Sequence, residues 1–312
     1  MPFSTENKLV IAVSSRALFD LNEANNIFEN QGEKAYMEYQ WDNRKSILKR
    51  GVAFPFIKRL LQFNGSNDKE NPVEVIVLSK NDPFSGLRFF NSCEHYKINI
   101  TRGVFTAGRD PFPYMDAFDC CLFLSANKED VDKAIQMGKP AGLILPTQAP
   151  DDPATGELRI AFDFDGVLAD DSSERIYQER GIAEYQQEER ANAGIPAPPG
   201  PLKGLIERLA KIQKLENIEK SKNTNYVPRL RITIVTARNA PAHERVITTL
   251  REWGITAVEA FFLGGLEKNK VLKILRPHIF FDDQMVHLEA ASNITPSVHI
   301  PFGIANQPTP NN

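Results

Sequence analysis

The sequence predicts an α/β protein built from two tandem units, each a parallel, doubly wound sheet flanked by helices. Three observations carry that expectation. Strand-like and helix-like stretches alternate along most of the chain. A polar stretch containing Pro and Gly, Thr147 to Glu157, divides it near the middle. The order of elements before that divide then begins again after it, at a fixed offset. The expected boundaries are 1–150 for the first unit and 151–312 for the second, each about 150 residues, a usual domain size.

In the first unit, Lys8 to Val13 reads as a buried strand and Leu18 to Tyr39 as a helix. Ala53 to Phe63 is a second, more apolar helix. Val73 to Leu78 is rich in β-branched residues and reads as a strand. A long connection with Gly108, Pro111 and Pro113 leads to a strand at Cys120 to Leu124. Asn127 can cap a helix running to Met137, and Ala141 to Leu145 is a final strand.

Ile11 to Leu60 lies on Ile160 to Leu209 without a gap, an offset of 160 − 11 = 149 residues. Ala12 matches Ala161, Gly32 matches Gly181, Tyr36 matches Tyr185 and Gly51 matches Gly200. Further on, strand Val73 to Leu78 answers Arg231 to Val235, and Cys121 to Leu124 answers Ile279 to Phe281. The chain reads as a duplication.

The copies differ at the strand ends. In the second, the apolar run Ile160-Ala161-Phe162 ends in Asp163-Phe164-Asp165, with Gly166 to turn the chain. Residues two apart on extended backbone point the same way, so both carboxylates face one spot. Two such carboxylates repel unless a cation lies between them, which implies a hard ion such as Mg²⁺. Ile232 to Val235 ends in Thr236-Ala237-Arg238, placing a hydroxyl at the sheet edge where open α/β folds bind ligands. Lys268 follows a Gly264-Gly265 turn and leads into a helix, where its ammonium can neutralise phosphoryl charge. Ile279 to Phe281 ends in Asp282-Asp283. In the first copy Ser14 and Arg16 replace Asp163 and Asp165, and Ser125 and Ala126 replace Asp282 and Asp283. Those residues cannot ligate a metal as carboxylates do, so the first unit is expected to be degenerate. Each acid, Thr or Lys has an ordinary explanation alone, as a strand end, a helix cap or a solvated charge. The set in this order points to a Mg²⁺-dependent phosphatase.

This pattern resembles the haloacid dehalogenase (HAD) superfamily, whose units are Rossmann-like. Ile11 to Phe19, Gly200-Pro201-Leu202-Lys203-Gly204, Val235 to Arg238 and Arg276 to Gln284 are similar, more closely, to the cytosolic type I 5′-nucleotidases. The resemblance covers nearly the whole chain. It implies hydrolysis of nucleoside 5′-monophosphates to nucleoside and phosphate. It also implies Asp163 as nucleophile, Asp165 as general acid/base, Thr236 and Lys268 on the phosphoryl group, and Arg238 among the substrate-binding residues, with a surface acid as its alternative partner. Mg²⁺ would be held by Asp163, Asp165 (through its backbone carbonyl), Asp282 and Asp283. In this superfamily an insert such as 170–201 is a cap over the site. It reads as a helix Ser173 to Asn192 followed by a Pro-rich turn, with Glu174, Arg175, Tyr177 and Tyr185 as candidates for the sugar or base. Leu202 to Gln213 is the next helix, Asn217 to Arg229 a polar loop, and Ala240 to Trp253 a further helix.

Two other functions fit the same residues: a phosphatase for sugar phosphates or other small phosphomonoesters, and a non-catalytic nucleotide sensor. Expected partners are the nucleotide substrate and, through the first unit, a regulatory nucleotide or a second copy of the chain in a homo-oligomer. Arg16 is the candidate phosphate contact there, with Asp20 or Glu23 as its alternative partners. A net charge of −3 without a long basic block argues against nucleic acid. No apolar run approaches the ~20 residues that span a bilayer, so no membrane is expected. Three cysteines, Cys93, Cys120 and Cys121, make no disulfide framework, and Met1 to Val10 carries no signal peptide pattern. A reducing cytoplasm is the expected compartment.

Overall fold

The computed structural model describes residues 3–65, 71–151, 156–255 and 258–307. Part of the stretch read as a linker, 152–155, lies outside them. The chain forms two compact units, Met1–Ile144 and Leu145–Asn312.

Unit one runs β1 (Leu9–Val13), α1 (Ser15–Leu18), β2 (Phe19–Asp20), α2 (Asn22–Asp42), β3 (Lys49–Arg50), α3 (Phe54–Leu61), β4 (Val73–Ser79), α4 (Pro83–His95), β5 (Arg102–Phe105), α5 (Tyr114–Ala117), β6 (Leu122–Ser125), α6 (Lys128–Gln136) and β7 (Ala141–Ile144). Its main strands lie in the order β5-β4-β1-β6-β7, every neighbouring pair parallel. Strands covered on both faces must be apolar throughout, and β1 is buried at all its residues. Ala12, Ile76 and Phe123 meet Met115 and Val131 in one core cluster.

Unit two runs β8 (Leu158–Phe162), α7 (Ser172–Arg180), α8 (Ile182–Ala191), α9 (Lys203–Lys222), β9 (Leu230–Thr236), α10 (His243–Glu252), β10 (Val258–Phe262), α11 (Lys268–Leu275), β11 (Ile279–Asp282), α12 (Met285–Ala291) and β12 (Ser297–His299). Its order, β10-β9-β8-β11-β12, repeats that of unit one, again all parallel. Phe162 and Phe281 stack at 5.1 Å between the two central strands, above a core of Ala161, Val235, Leu272 and Phe280. From β8 the chain builds outward through β9 and β10, then returns to add β11 and β12 on the other side. The C-terminal ends of β8 and β11 therefore form a topological switch point, where open α/β sheets leave a crevice for ligands.

Several elements differ from the sequence expectation. The connection between β4 and β6 holds α4 and β5, whose Gly- and Arg-containing strand at the sheet edge has no apolar run to announce it. Elements β10, α12 and β12 are likewise short, and were not legible as separate elements. Helix α9 continues to Lys222 into the stretch read as a loop. Its polar end is retained because buried Glu216 accepts hydrogen bonds from the Arg229 and Leu230 amides and the Tyr226 hydroxyl.

The two helices read as continuous are both broken by a glycine. In α2 the break is Gly32 (φ 83°, ψ 179°), and between α7 and α8 it is Gly181 (φ 86°, ψ −179°). That region is open almost only to glycine. The helix expected in the insert 170–201 is thus a bent pair, and α2 is its counterpart in the first unit.

The duplication is also legible in side-chain bonding. Beyond β4 and β9 the offset between copies becomes 245 − 88 = 157. Arg88 donates to Gln40 Oε1 and the Ser46 carbonyl; Arg245 donates to Glu189 Oε1 and the Ile195 carbonyl. Ser92 accepts from the Leu48 amide and donates to the Arg88 carbonyl; Thr249 does the same with Ala197 and Arg245. Gln40 and Glu189, like Ser46 and Ile195, stand 149 apart. The same framework ties each bent helix pair to the helix after the second strand.

Candidate active site

Strand β8 delivers Asp163 one residue past its end, where the Asp163 amide still donates to the Phe281 carbonyl at 2.8 Å. Asp163 Oδ1 accepts from the Phe164 amide at 2.8 Å, which orients the carboxylate. Strand β11 ends in Asp282, and Asp283 follows it. Gly166 has φ 71°, and a Cβ there would lie 2.5 Å from Asp283 Cγ. The turn after β8 thus demands glycine for both conformation and close approach.

The ligand atoms of Asp163, Asp282 and Asp283 all lie within 4.8 Å of one another. Lys268, the first residue of α11, places Nζ 2.9 Å from Asp163 Oδ2 and 2.7 Å from Asp282 Oδ2. Asp282 Oδ1 also accepts from the Gln284 amide at 2.9 Å, and His287 Nδ1 approaches the same carboxylate. Asp283 Oδ1 is buried without a hydrogen-bond partner. Three buried carboxylates around one ammonium leave an excess of negative charge and an orphaned oxygen. That donor set, all oxygen and anionic, fits a hard divalent cation. His299 and Asn306 steady the loop from behind by reaching the Asp283 carbonyl, at 3.0 and 2.9 Å.

The electrostatics follow from burial. Asp163 is pushed up to about 7, first by burial and then by Asp282 and Asp165, against the pull of Lys268. Asp283 is pushed up to about 9, again mainly by burial, with Asp163 and Asp282 adding. Burial opposes ionisation of Asp282 too, but Lys268 and His287 outweigh it and hold this carboxyl below the ordinary range. Burial works against the Lys268 ammonium, yet Asp163 and Asp282 keep it above the usual lysine value.

A second cluster adjoins the first. Arg238 donates from Nε and Nη2 to the two oxygens of Asp165, both at 2.7 Å. Its remaining N–H groups reach Ser173 Oγ at 2.8 Å, the Ala242 carbonyl at 3.3 Å and the Glu189 carboxylate. Ser173 Oγ donates to Glu189 Oε1 at 2.8 Å. Arg238 is 4% exposed and Glu189 0%. Thr236, at the end of β9, is buried and accepts from the Arg238 amide at 3.2 Å, leaving its O–H free to turn.

The structure therefore brings together Asp163, Lys268, Asp282 and Asp283, and beside them Asp165 with Arg238. Tyr185 is half-buried, with Arg238 5.9 Å from its ring centroid. Burial pushes its hydroxyl up. Glu174 is bonded by Gln178, Arg175 pairs with Asp171, and Tyr177 is exposed with its ring edge to Tyr185. Sequence reasoning missed Glu189, Ser173, Arg245 and His287, the first of these lying in a Glu/Gln-rich helix that reads as solvated. Its one signal was alignment with Gln40 in the repeat.

In unit one the equivalent places hold different contacts. Ser14 Oγ caps α1 by accepting from the Ala17 amide, and Ser125 Oγ accepts from the Asn127 amide. Arg16 donates to Asn25 and Asn22 rather than to Asp20 or Glu23. Asn127 caps α6 as expected.

The family model of the 5′-nucleotidases matches residues 1–307. The chain belongs to the 5′-nucleotidase family. It is 36% identical over 299 residues to the human cytosolic 5′-nucleotidase 1B, an alignment covering 94% of this chain and 48% of that protein. The chain thus spans about half the length of the curated relative it matches. The match to this 5′-nucleotidase family covers both copies of the duplication, including the unit in which Ser14, Arg16, Ser125 and Ala126 stand at the strand ends. Among the described residues of this family member, no helix is long and apolar enough to cross a membrane.

Proposed function

We propose that the chain is a Mg²⁺-dependent 5′-nucleotidase that hydrolyses nucleoside 5′-monophosphates through an aspartyl-phosphate on Asp163. The observation that carries the reading is the convergence of Asp163, Asp282 and Asp283 on one point, with Lys268 bridging the first two, at the switch point of a sheet in a 5′-nucleotidase-family chain. Asp163, Asp282 and Asp283, with the Asp165 backbone carbonyl, are the residues that would hold the ion. When bound, Mg²⁺ would offset the charge between an anionic nucleophile and an anionic substrate.

Asp163 attacks phosphorus with Oδ2, the oxygen that faces Lys268, while the Phe164 amide holds Oδ1. Asp165 protonates the departing 5′-oxygen, then takes a proton from the water that cleaves the acyl phosphate. Lys268 and the Thr236 hydroxyl stabilise charge on the phosphoryl oxygens. The Lys268 contact to Asp163 also keeps that carboxyl from rising further, so it is available as an anion near neutral pH.

The test is Asp163→Asn, which keeps shape and removes the nucleophile. Turnover of a nucleoside monophosphate should fall by about a thousandfold or more, while binding of the same nucleotide by calorimetry is retained. Chelation should silence the parent and Mg²⁺ restore it. Turnover near the parental rate in the variant, or in a metal-free preparation, sinks the respective assignment. A panel of monophosphates assayed for released phosphate fixes the substrate class, and preference for a sugar phosphate would overturn the nucleotide reading.

A further inference from the structure

The ionic cluster around Arg238 is larger than phosphate binding requires. All five guanidinium N–H groups are spent on protein acceptors: Asp165 twice, Ser173, Glu189 and the Ala242 carbonyl. None remains for a phosphoryl oxygen. The guanidinium is also flanked by rings, 5.3 Å from the centroid of Phe164 and 5.9 Å from that of Tyr185, which fixes its plane. Two of its acceptors, Ser173 and Glu189, stand on α7 and α8, while Asp165 stands on the turn after β8.

The duplicated unit is a control built into the same chain. It keeps the bonds that hold the bent helix pair: Arg88 to Gln40 and the Ser46 carbonyl, Ser92 to the Leu48 amide. It lacks the arm that reaches the first motif. Arg238 is answered by Asn81, Glu189 by Gln40, Ser173 by Ala24 and Asp165 by Arg16. Asn81 bonds Tyr36 instead, and Gln40 bonds the same hydroxyl. The framework therefore stands without the arm, and the arm occurs in the unit that carries the carboxylates.

We infer that Arg238 is a positioning residue for the acid/base carboxylate Asp165, anchored to helices α7 and α8 through Ser173 and Glu189, so that proton delivery to the leaving group depends on where those helices sit. This rests on the role proposed above for Asp165. A guanidinium fork bonded to both oxygens sets the plane of a carboxylate, which a lysine cannot do. In the step it serves, the Asp165 proton passes to the 5′-oxygen as the P–O bond breaks. Asp165 is left as the carboxylate that next accepts a proton from water.

The experiment compares the parent, Asp165→Asn, Arg238→Lys and the double variant Glu189→Gln/Arg238→Asn, which copies the neutral pair of unit one, where Arg88 bonds neutral Gln40, and so leaves no Glu189 anion short of Arg238. Each is assayed on a nucleoside monophosphate, whose alkoxide leaving group needs a proton, and on p-nitrophenyl phosphate, whose leaving group hardly does. Asp165→Asn should lower kcat on the nucleotide by roughly 10²–10⁴-fold and on the aryl ester far less. The double variant should show the same selectivity, about tenfold or more on the nucleotide with KM changed by less than about threefold, and Arg238→Lys should fall between it and the parent. In a second readout, the limb of the kcat–pH profile that Asp165→Asn removes should be displaced in the double variant. Equal losses on both substrates, or a KM rise on both, would overturn the positioning role and mark Arg238 as a substrate contact or a structural prop. An unmoved pH limb would overturn it as well. If Asp165→Asn itself shows no selectivity and keeps that limb, the role of Asp165 falls first and the positioning role with it.

Discussion

At Asp163 and Asp283 burial and mutual repulsion decide the ionisation, and this has a consequence for stability. Their folded values lie at about 7 and about 9, against an ordinary 3.8. Both shifts are upward, so the unfolded chain gives up these protons at lower pH than the folded chain. Their contribution to stability is fully present below the ordinary carboxylate value and is lost as pH rises towards 7 and then 9. Asp282, held below the ordinary range, has the opposite sign: its contribution is present above that value and is lost in acid. In chelator, the thermal midpoint should therefore fall between about pH 5 and pH 8. Saturating Mg²⁺ should remove most of that fall, and its stabilisation should reach roughly 5–10 °C at the upper end. Scanning calorimetry at stepped pH measures it, and parallel curves with and without the ion would contradict the metal assignment.

The helices that follow the first strand of each unit's sheet are bent rather than straight, and one glycine makes each bend. A Cβ at Gly32 or at Gly181 would meet nothing within 4 Å, so the cost of a side chain there is wholly in the backbone. Gly32→Ala and Gly181→Ala should each destabilise by about 1–3 kcal/mol, visible as a lower denaturant midpoint. Their effects on turnover should differ. Gly181 joins the two helices that hold Ser173 and Glu189, so its replacement should also lower kcat. Gly32 joins helices that touch no carboxylate site, so its replacement should leave kcat unchanged at temperatures where the fold persists. Equal kcat in both variants would disconnect the second bend from catalysis.

For the molecule as a whole, the duplication makes two copies of one framework that differ in charge. Arg88 bonds a neutral Gln40, and Arg245 a buried carboxylate, Glu189. Removing the first strands an amide; removing the second leaves a buried anion short of one of its two arginines. Arg245→Met should cost about 3–5 kcal/mol, and Arg88→Met about 1–3 kcal/mol, although their bonds are counterparts. Equilibrium unfolding of the two variants against the parent compares them, and equal losses would show that Arg238 alone satisfies Glu189. The same comparison explains what was legible. Asp163, Lys268 and Asp282-Asp283 could be read because apolar strands, or a Gly-Gly turn, end abruptly in charge. Glu189 could not, because a helix rich in Glu and Gln looks solvated until its neighbours are known.

Along the chain, local chemistry was enough for the parallel α/β class, the duplication and the carboxylates at the strand ends. Strand burial, turn glycines and abrupt charges are written in consecutive residues. Only the tertiary structure decided which side chains share a charge. It gave Arg238, expected among the substrate-binding residues, the partners Asp165, Ser173 and Glu189, which lie 73, 65 and 49 positions away. It also placed Lys268 between Asp163 and Asp282. The physical reason is that a buried ion's behaviour depends on every charge within a few ångströms. Those neighbours come from strands and helices far apart in sequence, brought together only when the sheet is wound.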